Sequence, residues 1–168
     1  ASQTNVAMVG ARNASAAGCR MARNIAQDLG QRGIMVTSGL ARGIDAAAHQ
    51  GALGTGTIAV IAGGIDIIYP PEHAELQARI AAEGLLVAEM PPGTEPRARH
   101  FPYRNRIIAG LSAGTVVVEA IPKSGSLITA RLAGEAGREV MAIPGSPLDP
   151  RSRGCNQLIR EGATLVQD

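Results

Sequence analysis

Arg97, Arg99, Arg104 and Arg106 fall within ten residues, in the stretch "PRARHFPYRNR" (96–106), and no acid follows Glu95 there. Fixed guanidinium forks suit oxyanions, because each can donate two parallel hydrogen bonds to a phosphate or carboxylate. Arg104 and Arg106 also open a segment that reads as a buried helix. The free N–H groups of a helix start already carry partial positive charge, so two arginines there pose a conflict that a bound anion would remove. Arg12, Arg42 and Lys123 each follow an apolar run, beside glycines and hydroxyls: "GARNAS" (10–15), "SGLARGID" (38–45) and "IPKSGSLITA" (121–130). Such turns let backbone N–H groups approach an anion at a helix start.

Other chemistries fit less well. "GARNASAAG" (10–18) lacks the G-x-G-x-x-G spacing and puts Arg12 where close approach of a pyrophosphate needs a small residue. "KSGSLIT" (123–129) is not G-x-x-x-x-G-K-[ST], which argues against a Walker-type ATPase. His49, His73 and His100 have no ligand spacing with one another, so a structural role is expected for each, with no metal and no cofactor. Asp45, Asp66, Glu89 and Glu119 fall beside the same turns, yet none is matched to an obvious nucleophile, and no catalytic residue is assigned. Asp45 is expected to orient Arg42 or to cap its own helix.

The elements that must position these residues are legible as alternation. "NVAMVG" (5–10), "IMVTSG" (34–39), "TIAVIAG" (57–63), "LLVAEM" (85–90), "TVVVEA" (115–120), "EVMAIPG" (139–145) and "ATLV" (163–166) read as strands. They are continuously apolar, as parallel strands covered on both faces are. Ala22, Ile25, Ala26 and Leu29 recur at helical spacing over 15–32, with Ser15 as N-cap and Gly33 as stop. Leu127, Ala130, Leu132 and Ala133 repeat the pattern over 126–137. The fold class expected is α/β: a doubly wound, mostly parallel sheet of about seven strands with helices on both faces. In such a sheet ligands bind beyond the carboxyl ends of the strands, which is where Arg12, Arg42, Arg104, Arg106 and Lys123 would converge.

Residues 90–101, "MPPGTEPRARHF", form a long loop rich in proline, of the kind that usually serves function. Pro102 suits the first position of the helix that follows. Ile107, Ile108 and Leu111 place Arg104 toward the packed face and Arg106 well round the helix. One of the two is expected to pair with Glu89 or Glu119 and the other to meet ligand; spacing does not say which.

Composition sets bounds. The 168 residues suit one domain, residues 1–168, and the start of the chain suggests a domain cut from something longer. No apolar run approaches the ~20 residues of a membrane span. Cys19 and Cys155, without C-x-x-C spacing, favour a reducing compartment. The net charge of +2 does not by itself announce a nucleic-acid binder, although Lys123 is the only lysine and every other basic residue is arginine. With only Tyr69, Phe101 and Tyr103 as aromatics, a surface built chiefly on stacked rings is excluded, so nucleic acid would have to be held mainly by its phosphates.

Taken together, "VGAR", "SGLARGID", "GGIDIIYP", "FPYRNRIIAGLS", "SGSLITA", "GREVMAIPG" and "GCNQLIREGA" resemble, in order, the Rossmann-like domain of the DprA/Smf family of DNA-processing proteins. The resemblance implies sequence-independent binding of single-stranded DNA, loading of the RecA recombinase, homodimer formation and a cytoplasmic location without membrane contact. It places the basic pocket at Arg12, at Ser38, Gly39 and Arg42, and at Lys123, Ser124, Gly125 and Ser126, with Arg104 and Arg106 at or near it. Ala17 and His73 depart from residues frequent in that family, tyrosine and asparagine, which puts a stacking contribution in doubt. Leu158, Ile159 and Leu165 mark the expected vicinity of the dimer surface. Two rival readings use the same anion pocket. One is a nucleotide phosphoribohydrolase, whose G-G-x-G-T-x-x-E acid is replaced here by threonine and alanine; the other is a small-nucleotide sensor.

Overall fold

The computed structural model describes residues 3–167. In chain order the elements are β1 (Asn5–Val9), α1 (Ala16–Gln31), β2 (Met35–Ser38), α2 (Ile44–Ala52), β3 (Thr57–Gly64), α3 (Ala74–Glu83), β4 (Leu85–Met90), α4 (His100–Leu111), β5 (Gly114–Val117), α5 (Gly125–Glu135), β6 (Glu139–Ala142), α6 (Arg153–Arg160) and β7 (Thr164–Leu165). All seven strands are parallel, in the order β4-β3-β2-β1-β5-β6-β7. The chain builds outward from β1 to β4, then returns to the other side of β1 at β5. The β1–β5 seam, with Val6 opposite Gly114 and Val9 opposite Val117, is therefore the topological switch point.

Side-chain alternation divides the core between the two faces. Met8, Val36 and Val116 meet Ala22, Ile25 and Ala26 of α1 and Ile44, Ala47 and Ala48 of α2. Ala7, Val9, Ile58, Val60 and Val117 meet Ile108 of α4, Ala130 of α5 and Cys155 of α6. A third cluster, with Ile61, Leu76 and Ile80, seats α3. Central strands covered on both sides read as unbroken apolar runs for this reason. The Cys155 thiol is pushed up to about 12 by burial, with the Glu119 charge adding to the effect.

Helix ends follow local chemistry. The Ser15 hydroxyl accepts the Gly18 N–H and starts α1; Gly33, at φ 75°, follows its last turn. α4 begins two residues earlier than its proline suggests. Pro102 lies inside the first turn, where its missing N–H removes no intrahelical bond. Among the described residues no helix is long and apolar enough to cross a membrane.

α2 is fastened to the sheet by a buried imidazole. The Thr57 hydroxyl donates to the Val36 carbonyl (2.9 Å), so it accepts from His49 Nδ1 (2.7 Å), leaving Nε2 bare to accept the Leu40 N–H (3.3 Å). Burial, then the charge of Arg104 and of His73, holds the His49 pKa down to about 3 from its usual 6.5. The unfolded chain thus takes up this proton near pH 6.5 and the folded chain only near pH 3. Stability is full above that window and falls as pH drops through it, by up to about 1.4 kcal/mol per pH unit. Urea unfolding between pH 7 and pH 4 should show this slope, and His49→Gln should reduce it.

Candidate functional site

The site starts from the turn after β2. Leu40 sits in the left-handed region at φ 57°, a conformation that costs a non-glycine residue about 1–2 kcal/mol. Side chains around it offset that cost. Asp45, in the first turn of α2, accepts the N–H groups of Gly39 (3.1 Å) and Ala41 (3.4 Å). His49 takes the Leu40 N–H, and His73 Nδ1 lies 3.0 Å from the Leu40 carbonyl. The Ser38 hydroxyl donates to the Met8 carbonyl at 2.5 Å, so it is committed to the sheet. Asp45 therefore neither orients Arg42 nor caps its own helix; it braces the turn before it. Burial pushes its carboxyl up, while the Arg104 charge and the two N–H groups pull it down.

Arg104 is the centre of this arrangement. It is 6% exposed, and its Nη1 donates to the carbonyls of Gly39 (2.6 Å), just past β2, and of Val60 (2.5 Å), in the middle of β3 where its pairing with β2 has ended. Its Nε donates to Asn105 Oδ1 (3.1 Å), and Asn105 Nδ2 donates to the Gly125 carbonyl (3.3 Å). A Cβ on Gly39 would lie 2.5 Å from the guanidinium, so only glycine admits it. Burial brings the Arg104 pKa down to about 10, against the opposing pull of Asp45, and the group stays charged at neutral pH. Because α4 starts at His100, Arg104 and Arg106 lie past its first turn, and the conflict expected of two arginines at a helix start does not arise. Arg104 reaches away from α4 to carbonyl oxygens rather than to Glu89 or Glu119, and Arg106 pairs with Glu89 and lies over the Tyr103 ring (4.3 Å).

Over the carboxyl ends of β1 and β5 lies a cleft of about 1000 Å³. Its lining includes Arg12 and Asn13 after β1, Phe101, Arg104 and Asn105 of α4, Ser124, Gly125 and Ser126 at the start of α5, and the Asp149–Arg151 ion pair. A narrower crevice continues toward β2 and β3 between Arg12, Gly39, Arg42, Tyr69 and Phe101. The Arg12 guanidinium stands 5.1 Å from the Phe101 ring centre, and Tyr69 packs on the same ring at 5.6 Å, tilted by 51°. Among the described residues neither Arg12 nor Lys123 pairs with a carboxylate, whereas Arg42 pairs with Glu72.

The expected site residues separate accordingly. Arg12, Arg104, Ser124, Gly125 and Ser126 share the main cleft, and Gly39 and Arg42 line the crevice that joins it. Lys123, at φ 67°, borders the neighbouring groove between α5 and α6, and Arg106 sits on the outer side of α4; neither lines the cleft. Ser38 is buried beneath it. Ser124 makes no side-chain capping bond and its hydroxyl lies 2.5 Å from that of Ser126, so the start of α5, which lines the cleft, has no side-chain cap on its N–H groups. Sequence reasoning missed Phe101 as the ring beneath Arg12, and Asn105 as the link from Arg104 to α5. The only signal for Phe101 was scarcity: two of the three aromatics in the chain meet at this point.

The family model for DNA recombination-mediator protein A matches residues 1–168. The chain belongs to this family. It is 50% identical over 163 residues to DNA processing protein DprA of Streptococcus pneumoniae, covering 96% of this chain and 57% of that protein. It is 49% identical over 166 residues to protein Smf of Escherichia coli, covering 97% of this chain and 44% of that protein. The chain thus spans about half the length of the curated relatives it matches. Its fold superimposes on the crystal structure of the S. pneumoniae protein with a TM-score of 0.92, covering 98% of this chain and 58% of that one. A structure described as showing the single-stranded DNA binding mode of DNA processing protein A from Helicobacter pylori gives the same TM-score, at 30% identity, over 99% of this chain and 76% of that one.

Arg104→Ala would leave the Gly39 and Val60 carbonyls without their donor, and the expected loss of stability is about 3–5 kcal/mol. Urea unfolding midpoints check this; Arg106→Ala, which removes an exposed ion pair with Glu89 and a contact with the Tyr103 ring, should shift the midpoint far less.

Proposed function

We propose that this chain binds single-stranded DNA irrespective of base sequence, gripping phosphates with Arg12 and the start of α5. The observation that carries the reading is the cleft itself: a guanidinium without a carboxylate partner, held against the Phe101 ring, shares it with the start of α5 and the Ser124 and Ser126 hydroxyls. The single-stranded DNA binding named for the H. pylori relative supports it. Arg42 and Lys123 extend the cationic path on either side of the cleft; Arg42 can exchange Glu72 for a phosphate at little cost, because both partners are exposed.

The reading is of a binding module rather than an enzyme, acting in DNA uptake and recombination in the cytoplasm. Both carboxylates that line the cleft already have a role: Asp45 holds N–H groups and Asp149 holds Arg151, while Glu72 and Glu89, outside it, hold arginines. We extend the proposal to loading of the RecA recombinase onto the bound strand and to a homodimer. The groove between α5 and α6, of about 890 Å³ and lined in part by Leu127, Val140 and Leu158, supports a dimer surface at Leu158, to which Ile159 and Leu165 are added from the sequence; sedimentation of Leu158→Glu against the native chain tests it. RecA loading is tested by RecA filament formation on oligo-dT with and without the chain, and no acceleration would refute it. For the hydrolase alternative, the expected result of incubation with AMP is no release of adenine.

Binding of oligo-dT, followed by fluorescence anisotropy, should weaken with salt along a slope of log K against log salt of about −2 to −3.5, for three to five phosphates neutralised. Arg12→Ala and Lys123→Ala should each weaken binding of oligo-dT and oligo-dC by similar factors and make that slope shallower by about 0.7. A flat salt response, or a loss confined to one base composition, would refute the phosphate grip.

A further inference from the structure

The start of α1 lies beside the switch point, where a dinucleotide-binding sheet of this topology seats a phosphate on free helix N–H groups. In this chain that seat is filled from within. Glu119, two residues beyond β5, accepts the Ser15 N–H at Oε2 (2.9 Å) and the Ser15 hydroxyl at Oε1 (2.5 Å). Its backbone carbonyl accepts the Ala11 N–H (2.7 Å), so side chain and backbone together close the loop between β1 and α1. α1 carries no acid in its own first turn, and Glu119 supplies the negative charge its dipole favours. The carboxylate comes so near that a Cβ on Gly18 would stand 2.6 Å from its Cδ and Oε1. Gly18 thus makes room for an internal anion, as a fingerprint glycine makes room for a pyrophosphate.

We propose that Glu119 is a specificity-determining residue: its carboxylate occupies the phosphate seat at the start of α1, so that nucleoside phosphates and dinucleotides are refused there. Anions are then accepted only across the cleft, at Arg12 and the start of α5. A polynucleotide can collect several such contacts at once, whereas a mononucleotide or dinucleotide loses the one seat that would hold it. The inference rests on the reading of the cleft as a polynucleotide site and adds how that site discriminates against small nucleotides. A carboxylate that merely fastened the loop would, on removal, lower stability without altering which ligands bind.

The test compares the native chain with Glu119→Ala and Glu119→Gln, using inorganic pyrophosphate and AMP as probes in calorimetry and thermal melting, with oligo-dT in parallel. Relief of like-charge repulsion at a contact of a few ångströms should tighten pyrophosphate binding by about tenfold or more in Glu119→Ala. Melting temperature should rise with added pyrophosphate more steeply in both variants than in the native chain. Gln keeps one acceptor for Ser15 while removing the charge, so it carries the test if the alanine variant does not fold. Equal pyrophosphate affinity and equal melting shifts in the native chain and a folded variant would overturn the proposal. Failure of the native chain to bind oligo-dT would instead overturn the polynucleotide reading, and the pyrophosphate comparison would still decide the role of Glu119.

Discussion

A buried guanidinium ties together the parts from which the cleft is made. Where β2 stops, β3 runs on past it without that neighbour, and there the Gly39 carbonyl just past β2 and the Val60 carbonyl in the middle of β3 converge on Arg104. Through Asn105 the same side chain reaches the Gly125 carbonyl at the start of α5, on the far side of the switch point. One chain of hydrogen bonds therefore runs beneath the cleft from the β2 turn to α5. A charged donor bound to several carbonyls in a dry setting is strong when complete and costly when broken. This explains why so much nearby sequence is committed to support. Asp45, His49 and His73 hold the Leu40 turn that presents the Gly39 carbonyl, and Gly39 itself is required by the approach of the guanidinium.

That support divides the cations into two kinds. Arg104 is an internal tie, and Arg106 and Arg42 rest on exposed carboxylates that a competing phosphate can replace. Arg12 faces the open cleft from a loop whose ends are clamped by Glu119 and Ile44. Its guanidinium lies against Phe101, which limits its conformations and pre-organises it for an anion. A site with few exposed cations on a rigid frame suits a ligand that repeats the same charge along its length.

The architecture was legible because apolar runs at strand length, separated by helix-period segments, leave few alternatives for a chain of this size. The strand segments begin within a residue of where the sheet shows them; β5, β6 and β7 end earlier than their apolar runs. Those runs continue into turns because residues such as Val118, Ala120 and Ile143 still pack against the layers after leaving the ladder. Pro102 misled in a similar way: its ring is tolerated anywhere in a first turn, so it marks a helix start only to within a few residues.

Residue types and order alone determined that glycines, hydroxyls and arginines follow the strands, and therefore that they gather at one edge of a doubly wound sheet. They left open which arginine would be internal, because Arg104 and Arg106 are two residues apart and differ only in the direction each leaves α4. Tertiary structure decided it: Arg104 meets the Gly39 and Val60 carbonyls, and Arg106, leaving α4 in another direction, meets Glu89. It likewise decided that Glu119, far from Ser15 in the chain, would sit at the start of α1. Local pattern reflects periodicity and backbone preference, which neighbours along the chain share. Partnership between distant charges depends on how layers pack, and that is settled only when the sheet is assembled.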